Sequence, residues 1–74
     1  MTATTTTRTH ISAHIINART EMKRVYTTLK LAMYDAEFAG LTATANELRQ
    51  SINAIELAMD VAGSADTLVC TEGK

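Results

Sequence analysis

The feature that most constrains the fold is an apolar repeat, with alternating spacings of four and three residues, between Ile11 and Ala39. Its members are Ile11, Ile15, Ala18, Met22, Val25, Leu29, Ala32, Ala36 and Ala39. Such a repeat places one apolar stripe along an α-helix, as in a coiled coil. The chain has no proline, and Gly40 is its first glycine, so nothing interrupts a helix earlier. We therefore predict one helix of about 30 residues that begins near Thr9 or Ser12 and ends at Gly40.

A second apolar repeat follows a short turn at residues 41–43. Its members are Ala45, Leu48, Ile52, Ile55, Met59 and Ala62. Thr44 and Glu47 have the spacing of a capping box, whose side chains satisfy free backbone amides at a helix start. We predict a second helix from Thr44 to Ala62 that Gly63 closes, although the apolar spacing beyond Gly63 also permits a further turn. The short turn makes the helices antiparallel, so the predicted fold is an all-α two-helix hairpin.

The predicted hairpin domain occupies residues 9–69, between a Thr-rich arm at 1–8 and a tail at 70–74. The arm is expected to be disordered because it has no apolar face to bury. Further apolar residues lie off the two stripes. They are Leu31, Tyr34 and Phe38 on the first helix, and Ala54, Leu57, Ala58 and Val61 on the second. Because a helix with two apolar faces packs between neighbours and a hairpin this small has little core, we predict a homodimeric four-helix bundle.

The stripe of Leu31, Tyr34 and Phe38 has two interpretations that the sequence leaves open. It is either part of the interior of the homo-oligomer or a surface that docks onto a different protein. Aromatic side chains on a helix face are typical of protein-binding hot spots. Our first functional hypothesis is a non-catalytic protein-binding regulator or inhibitor with a larger protein partner. Phage and mobile-element antagonists of host machinery include many small proteins of this type.

The charge of the chain is unevenly distributed although its net value is −1. Residues 1–34 carry five basic side chains and one acidic one, whereas residues 35–74 carry two basic and seven acidic side chains. An alternative function is therefore the binding of nucleic acid or an anionic nucleotide, with Tyr26 available for stacking. The basic residues that would contact phosphates are Arg8, Arg19, Lys23, Arg24 and Lys30. A competing interpretation is that Lys23 and Arg24 pair with Asp60 of the second helix.

The residue types that carry catalysis or bind metals lack suitable partners here. His10 and His14 have the i, i+4 spacing of shared metal ligands, but no cysteine or carboxylate lies nearby to complete a site. Glu56 and Asp60 share a helix face without any sign of a substrate pocket. Cys70 has no basic neighbour or helix N-terminus to activate it. We therefore expect no catalytic site, no metal and no cofactor.

The predicted location is the cytoplasm. A single cysteine excludes an internal disulfide, and a reducing compartment is the usual home of such a chain. No apolar run approaches the roughly 20 residues of a membrane span, and the N-terminus lacks the order of a secretory signal. The first 34 residues resemble a transit peptide in composition, but removing them would remove the long helix.

Overall fold

The computed structural model describes residues 5–72, which form two antiparallel helices. Helix α1 spans Thr5–Phe38 and helix α2 spans Thr42–Thr71. The described residues contain no strand. The chain measures 55 × 15 × 12 Å, so the helices lie side by side in a single layer. The all-α hairpin is confirmed, while residues 1–4 of the predicted arm and 73–74 of the predicted tail lie outside the described residues.

The turn between the helices is closed by backbone hydrogen bonds around Gly40. The Leu41 amide donates to the Ala36 carbonyl at 2.8 Å, and the Gly40 amide donates to the Glu37 carbonyl at 3.0 Å. These two bonds form a Schellman motif, which requires a left-handed residue. Gly40 has φ 78°, and glycine adopts this conformation without a Cβ clash. Gly40 therefore closes α1 as predicted, two residues after the last helical residue, Phe38.

The start of α2 differs from the predicted capping box. Its N-cap is Leu41, which makes no side-chain cap bond, and the Leu41 carbonyl accepts the Ala45 amide at 2.9 Å. The Schellman motif has already placed Leu41 where its carbonyl begins the next helix. As a result, Thr44 and Glu47 lie inside α2 and the predicted capping box is wrong.

The open end of the hairpin extends beyond both predicted helix limits. The Arg8 guanidinium donates to the Val69 and Glu72 carbonyls, each at 2.6 Å, and Ser12 donates to the Asp66 carboxylate at 2.6 Å. A cation is favoured at a helix C-terminus, where backbone carbonyls lack intrahelical partners. These contacts between the helices explain why α1 is already helical before the predicted starts and why α2 continues to Thr71. The predicted starts at Thr9 or Ser12 and the predicted end at Gly63 are wrong.

The buried core lies at the turn end of the hairpin. Its members are Met33, Ala36, Ala45 and Ile52, with Tyr26, Leu29 and Leu48 packed against them. On α2 this agrees with the predicted stripe, whose other members are half-buried. Toward the open end of the hairpin, the same four- and three-residue spacing places the polar residues Arg8 and Ser12 at the positions of α1 that face α2. Apolar packing therefore holds one end together and hydrogen bonds hold the other.

On α1 the structure corrects half of the predicted stripe. Ile15, Met22, Leu29 and Ala36 are at least half-buried as expected. The other five members are exposed, namely Ile11, Ala18, Val25, Ala32 and Ala39. Tyr26 and Met33, which follow Val25 and Ala32, face α2 instead. Packing Tyr26 and Met33 buries more apolar area than packing Val25 and Ala32. A rotation of α1 by about 50°, half of the angle between successive residues, achieves this while keeping the other half of the stripe.

Candidate functional site

The side chains of Leu31, Tyr34 and Phe38, here called the aromatic patch, are exposed in the hairpin. Their exposed fractions are 60%, 52% and 97%, respectively. Leu31 and Phe38 each lie two residues after a residue of the seam with α2, Leu29 and Ala36. Two residues correspond to about 200° around an α-helix, so these two side chains point away from α2, while Tyr34, about 100° past the buried Met33, lies to one side. The hairpin alone therefore does not bury this patch.

The predicted basic residues do not form one continuous surface. Arg8 is engaged at the C-terminus of α2, as described above. Lys30 lies over the Tyr26 ring, with 5.1 Å between its Nζ and the ring centroid. Hydrogen bonding and electrostatic interaction with Tyr26 raise the pKa of the Lys30 ammonium above its ordinary value. Because Tyr26 also packs against the core, its ring is not free to stack on a base as predicted.

Arg19 and Lys23 come together at a groove of about 300 Å³ between the helices. Its lining residues are Ile16, Arg19, Thr20, Lys23 and Met59. Gly63 of α2 lies beside Arg19, and a Cβ built on Gly63 would lie 3.4 Å from the Arg19 Cζ and Nη2 atoms, at ordinary van der Waals distance. Gly63 does not line the groove, and it lies inside α2, where the sequence pattern predicted a helix terminator.

The predicted pairing of Lys23 and Arg24 with Asp60 is wrong. Within residues 5–72 none of these three side chains belongs to an ion pair. Arg49 pairs instead with Glu37 close to the turn, and both side chains remain largely exposed. Arg24 follows Lys23 by about 100° around α1, which separates it from the groove. The groove thus holds two cations without an acidic partner among the described residues.

The remaining candidate residues are dispersed over the surface. His10, His14 and Cys70 are exposed. In the described part of the chain, no group of three or more histidine, cysteine or acidic side chains is placed to hold a metal ion. Neither described helix has an apolar stretch of the length needed to cross a membrane. Comparison of this chain with protein families, curated proteins and solved structures found no match.

Proposed function

We propose that this protein is a non-catalytic regulator or inhibitor that acts by docking its aromatic patch onto a larger protein. The observation that carries the proposal is the exposure of Leu31, Tyr34 and Phe38 on one face of α1. Large aromatic side chains supply much of the binding energy of protein interfaces when they enter apolar pockets. The expected partner therefore presents an apolar cleft that accepts two aromatic rings. Antagonism of host machinery by a phage or mobile element is one setting for such a protein.

The proposed working form is a homodimeric four-helix bundle. One hairpin forms a single layer, whereas stable domains have at least two packed layers. The buried part of the described hairpin consists of four residues, which is a small core. A second hairpin would supply the missing layer. The proposed location is the cytoplasm, because the exposed free thiol of Cys70 fits a reducing compartment.

Substitution of both aromatic residues tests the docking proposal. We expect Tyr34→Ala with Phe38→Ala to weaken partner binding by at least about 30-fold, since hot-spot side chains contribute about 2 kcal/mol or more. The helicity and mass of the variant should match those of the wild type because both side chains are exposed. The measurement is quantitative enrichment of proteins from host extract, followed by the dissociation constant of each retained protein.

The matched control is Ile16→Ala, which shortens an equally exposed side chain at the other end of α1. It should retain the same proteins as the wild type. Equal retention by the wild type and the aromatic double variant would contradict docking through the patch. Dissociation of the dimer by the double variant would instead place the patch in the oligomer core.

A second candidate function is recognition of a phosphate-bearing small molecule in the groove. The observation that favours it is the combination of the unpaired Arg19 and Lys23 with the apolar Ile16 and Met59 in about 300 Å³. Ligand sites combine apolar walls with a few polar groups and begin at about this volume. The separation of Arg8 and Arg24 from the groove favours a mononucleotide over a long nucleic acid.

The ligand of the groove can be tested with AMP and inorganic phosphate. We expect Arg19→Gln with Lys23→Gln to weaken AMP binding about tenfold or more, because two charge-assisted contacts to phosphate are removed. Arg24→Gln is the control and should leave binding almost unchanged. The measurement is an amide chemical-shift titration at two salt concentrations. A wild-type protein that shows no saturable shift, or an equal loss in Arg24→Gln, would exclude this candidate.

A further inference from the structure

The contacts between the helices distinguish the two sides of the hairpin. The Glu37 and Arg49 ion pair lies on one side, and the contact of Arg19 with Gly63 lies on the same side. Antiparallel helices pair such flanking positions with each other along one edge of their seam. Lys30 and Lys23 lie seven and fourteen residues before Glu37, which places them at the same edge of α1. This side of the hairpin is therefore charged.

The opposite side of the hairpin carries an apolar surface, here called the apolar flank. Its members at the middle of the rod are Ala18, Val25 and Ala32 of α1, and Ala58, Val61 and Ala65 of α2. Ala58 and Ala65 are half-buried beside α1, while Val25 and Val61 are exposed. The alanines leave room for the backbone of another helix to approach, and the two valines project from the surface they form. None of these six residues is charged, and Glu21 borders the flank, three residues after Ala18 and four before Val25.

We propose that a second copy of this chain docks on the apolar flank and completes a four-helix bundle. This inference rests on the homodimer in the proposed function and specifies the interface. The chain exposes 5519 Å², whereas size scaling gives about 4,450 Å² for a compact monomer of 8.0 kDa. An elongated shape accounts for part of the difference of about 1,070 Å². Each partner in a standard interface buries about 800 Å², so the excess exposed surface of this chain is of the same order as one side of a dimer interface.

The charges of the two helices favour a second copy as the occupant. Helix α1 carries five basic and three acidic side chains, whereas α2 carries one basic and four acidic side chains. A two-fold arrangement that sets α1 of one copy against α2 of the other places helices of opposite net charge side by side, with Arg19, Lys23 and Lys30 on the edge that faces away from the interface. Such complementarity favours this orientation over one that pairs each helix with its equivalent.

The proposed interface leaves the aromatic patch accessible. Val25 and Tyr34 are nine residues apart, which corresponds to about two and a half turns of α-helix. They therefore lie on opposite sides of α1. A dimer formed through the apolar flank presents two aromatic patches on its outer surfaces, and each is free for a partner protein.

The test compares the mass and helicity of two double variants with those of the wild type. We expect the wild type to give about 16 kDa by light scattering at high concentration, twice the chain mass. Val25→Glu with Val61→Glu should raise the dimer dissociation constant at least about 100-fold, because it would bury four unpaired charges. Leu31→Glu with Phe38→Glu is the control and should remain dimeric. Circular dichroism shows whether each variant keeps its helices.

If the variant with Val25→Glu and Val61→Glu unfolds, a measurement on the wild type still locates the dimer interface. On dilution through the dimer dissociation constant, the methyl resonances of Val25 and Val61 should shift while those of Leu31 remain fixed. A protein that stays at 8.0 kDa at every concentration would overturn both the homodimer and this interface. A dimer whose Leu31 methyls shift on dilution, with Val25 and Val61 unchanged, would overturn the interface and leave the homodimer standing.

Discussion

The substitution Ile52→Ala is expected to lower the free energy of unfolding by about 3 kcal/mol, because it removes three carbon atoms from a closely packed site. Ile52 is 5% exposed and belongs to the core cluster with Met33, Ala36 and Ala45. Two of these neighbours are alanines, whose side chains cannot move to fill the cavity. For a domain of this size, 3 kcal/mol corresponds to a decrease of roughly 12–24 °C in the thermal midpoint.

The matched control is Ile16→Ala, the same chemical change at a side chain that is 52% exposed. It should change the free energy of unfolding by less than about 1 kcal/mol, since alanine has the higher helix propensity and little apolar area is lost. Both variants are compared with the wild type by urea unfolding at one protein concentration, because dimerisation makes the midpoint depend on concentration. Similar losses in both variants would show that the core is not centred on Ile52.

Replacing each of two glycines by alanine is expected to change stability in opposite directions. Gly40→Ala should cost about 1–2 kcal/mol, because it forces a Cβ into the left-handed conformation. No atom lies within 4 Å of the added Cβ, so this cost comes from the backbone. Gly63→Ala should stabilise α2 by about 0.5–1 kcal/mol, because Gly63 lies inside the helix, where alanine is preferred.

The contact with Arg19 decides whether the gain at Gly63 is realised in full. An added Cβ would lie 3.4 Å from the Arg19 guanidinium, which is ordinary van der Waals contact with the end of a flexible side chain. The measurement is the difference in unfolding free energy between the two variants, expected to be about 2 kcal/mol. If both variants were destabilised equally, Gly63 would be needed for close packing of the two helices.

Sequence patterns predicted α2 better than α1. The α2 stripe contains four large apolar side chains at regular spacing, Leu48, Ile52, Ile55 and Met59, whereas the second set on α2 is half alanine, so one orientation of that helix buries the most apolar area. On α1, the stripe through Val25 and Ala32 competes with the stripe through Tyr26 and Met33. The spacing of both stripes is identical, and the difference in buried area appears once α2 is packed against them. The aromatic patch lies outside both stripes, and the structure leaves it exposed.

The sequence by itself determined the all-α hairpin, because uninterrupted helical periodicity and a left-handed glycine at position 40 are local properties. Tertiary structure decided the helix limits and the arrangement of the basic residues. Arg8 extends α2 by binding its last carbonyls, and Gly63 lies inside α2 beside Arg19 of α1. These interactions join residues more than 40 positions apart. No local pattern encodes them, since they depend on how two long helices align after the turn has formed.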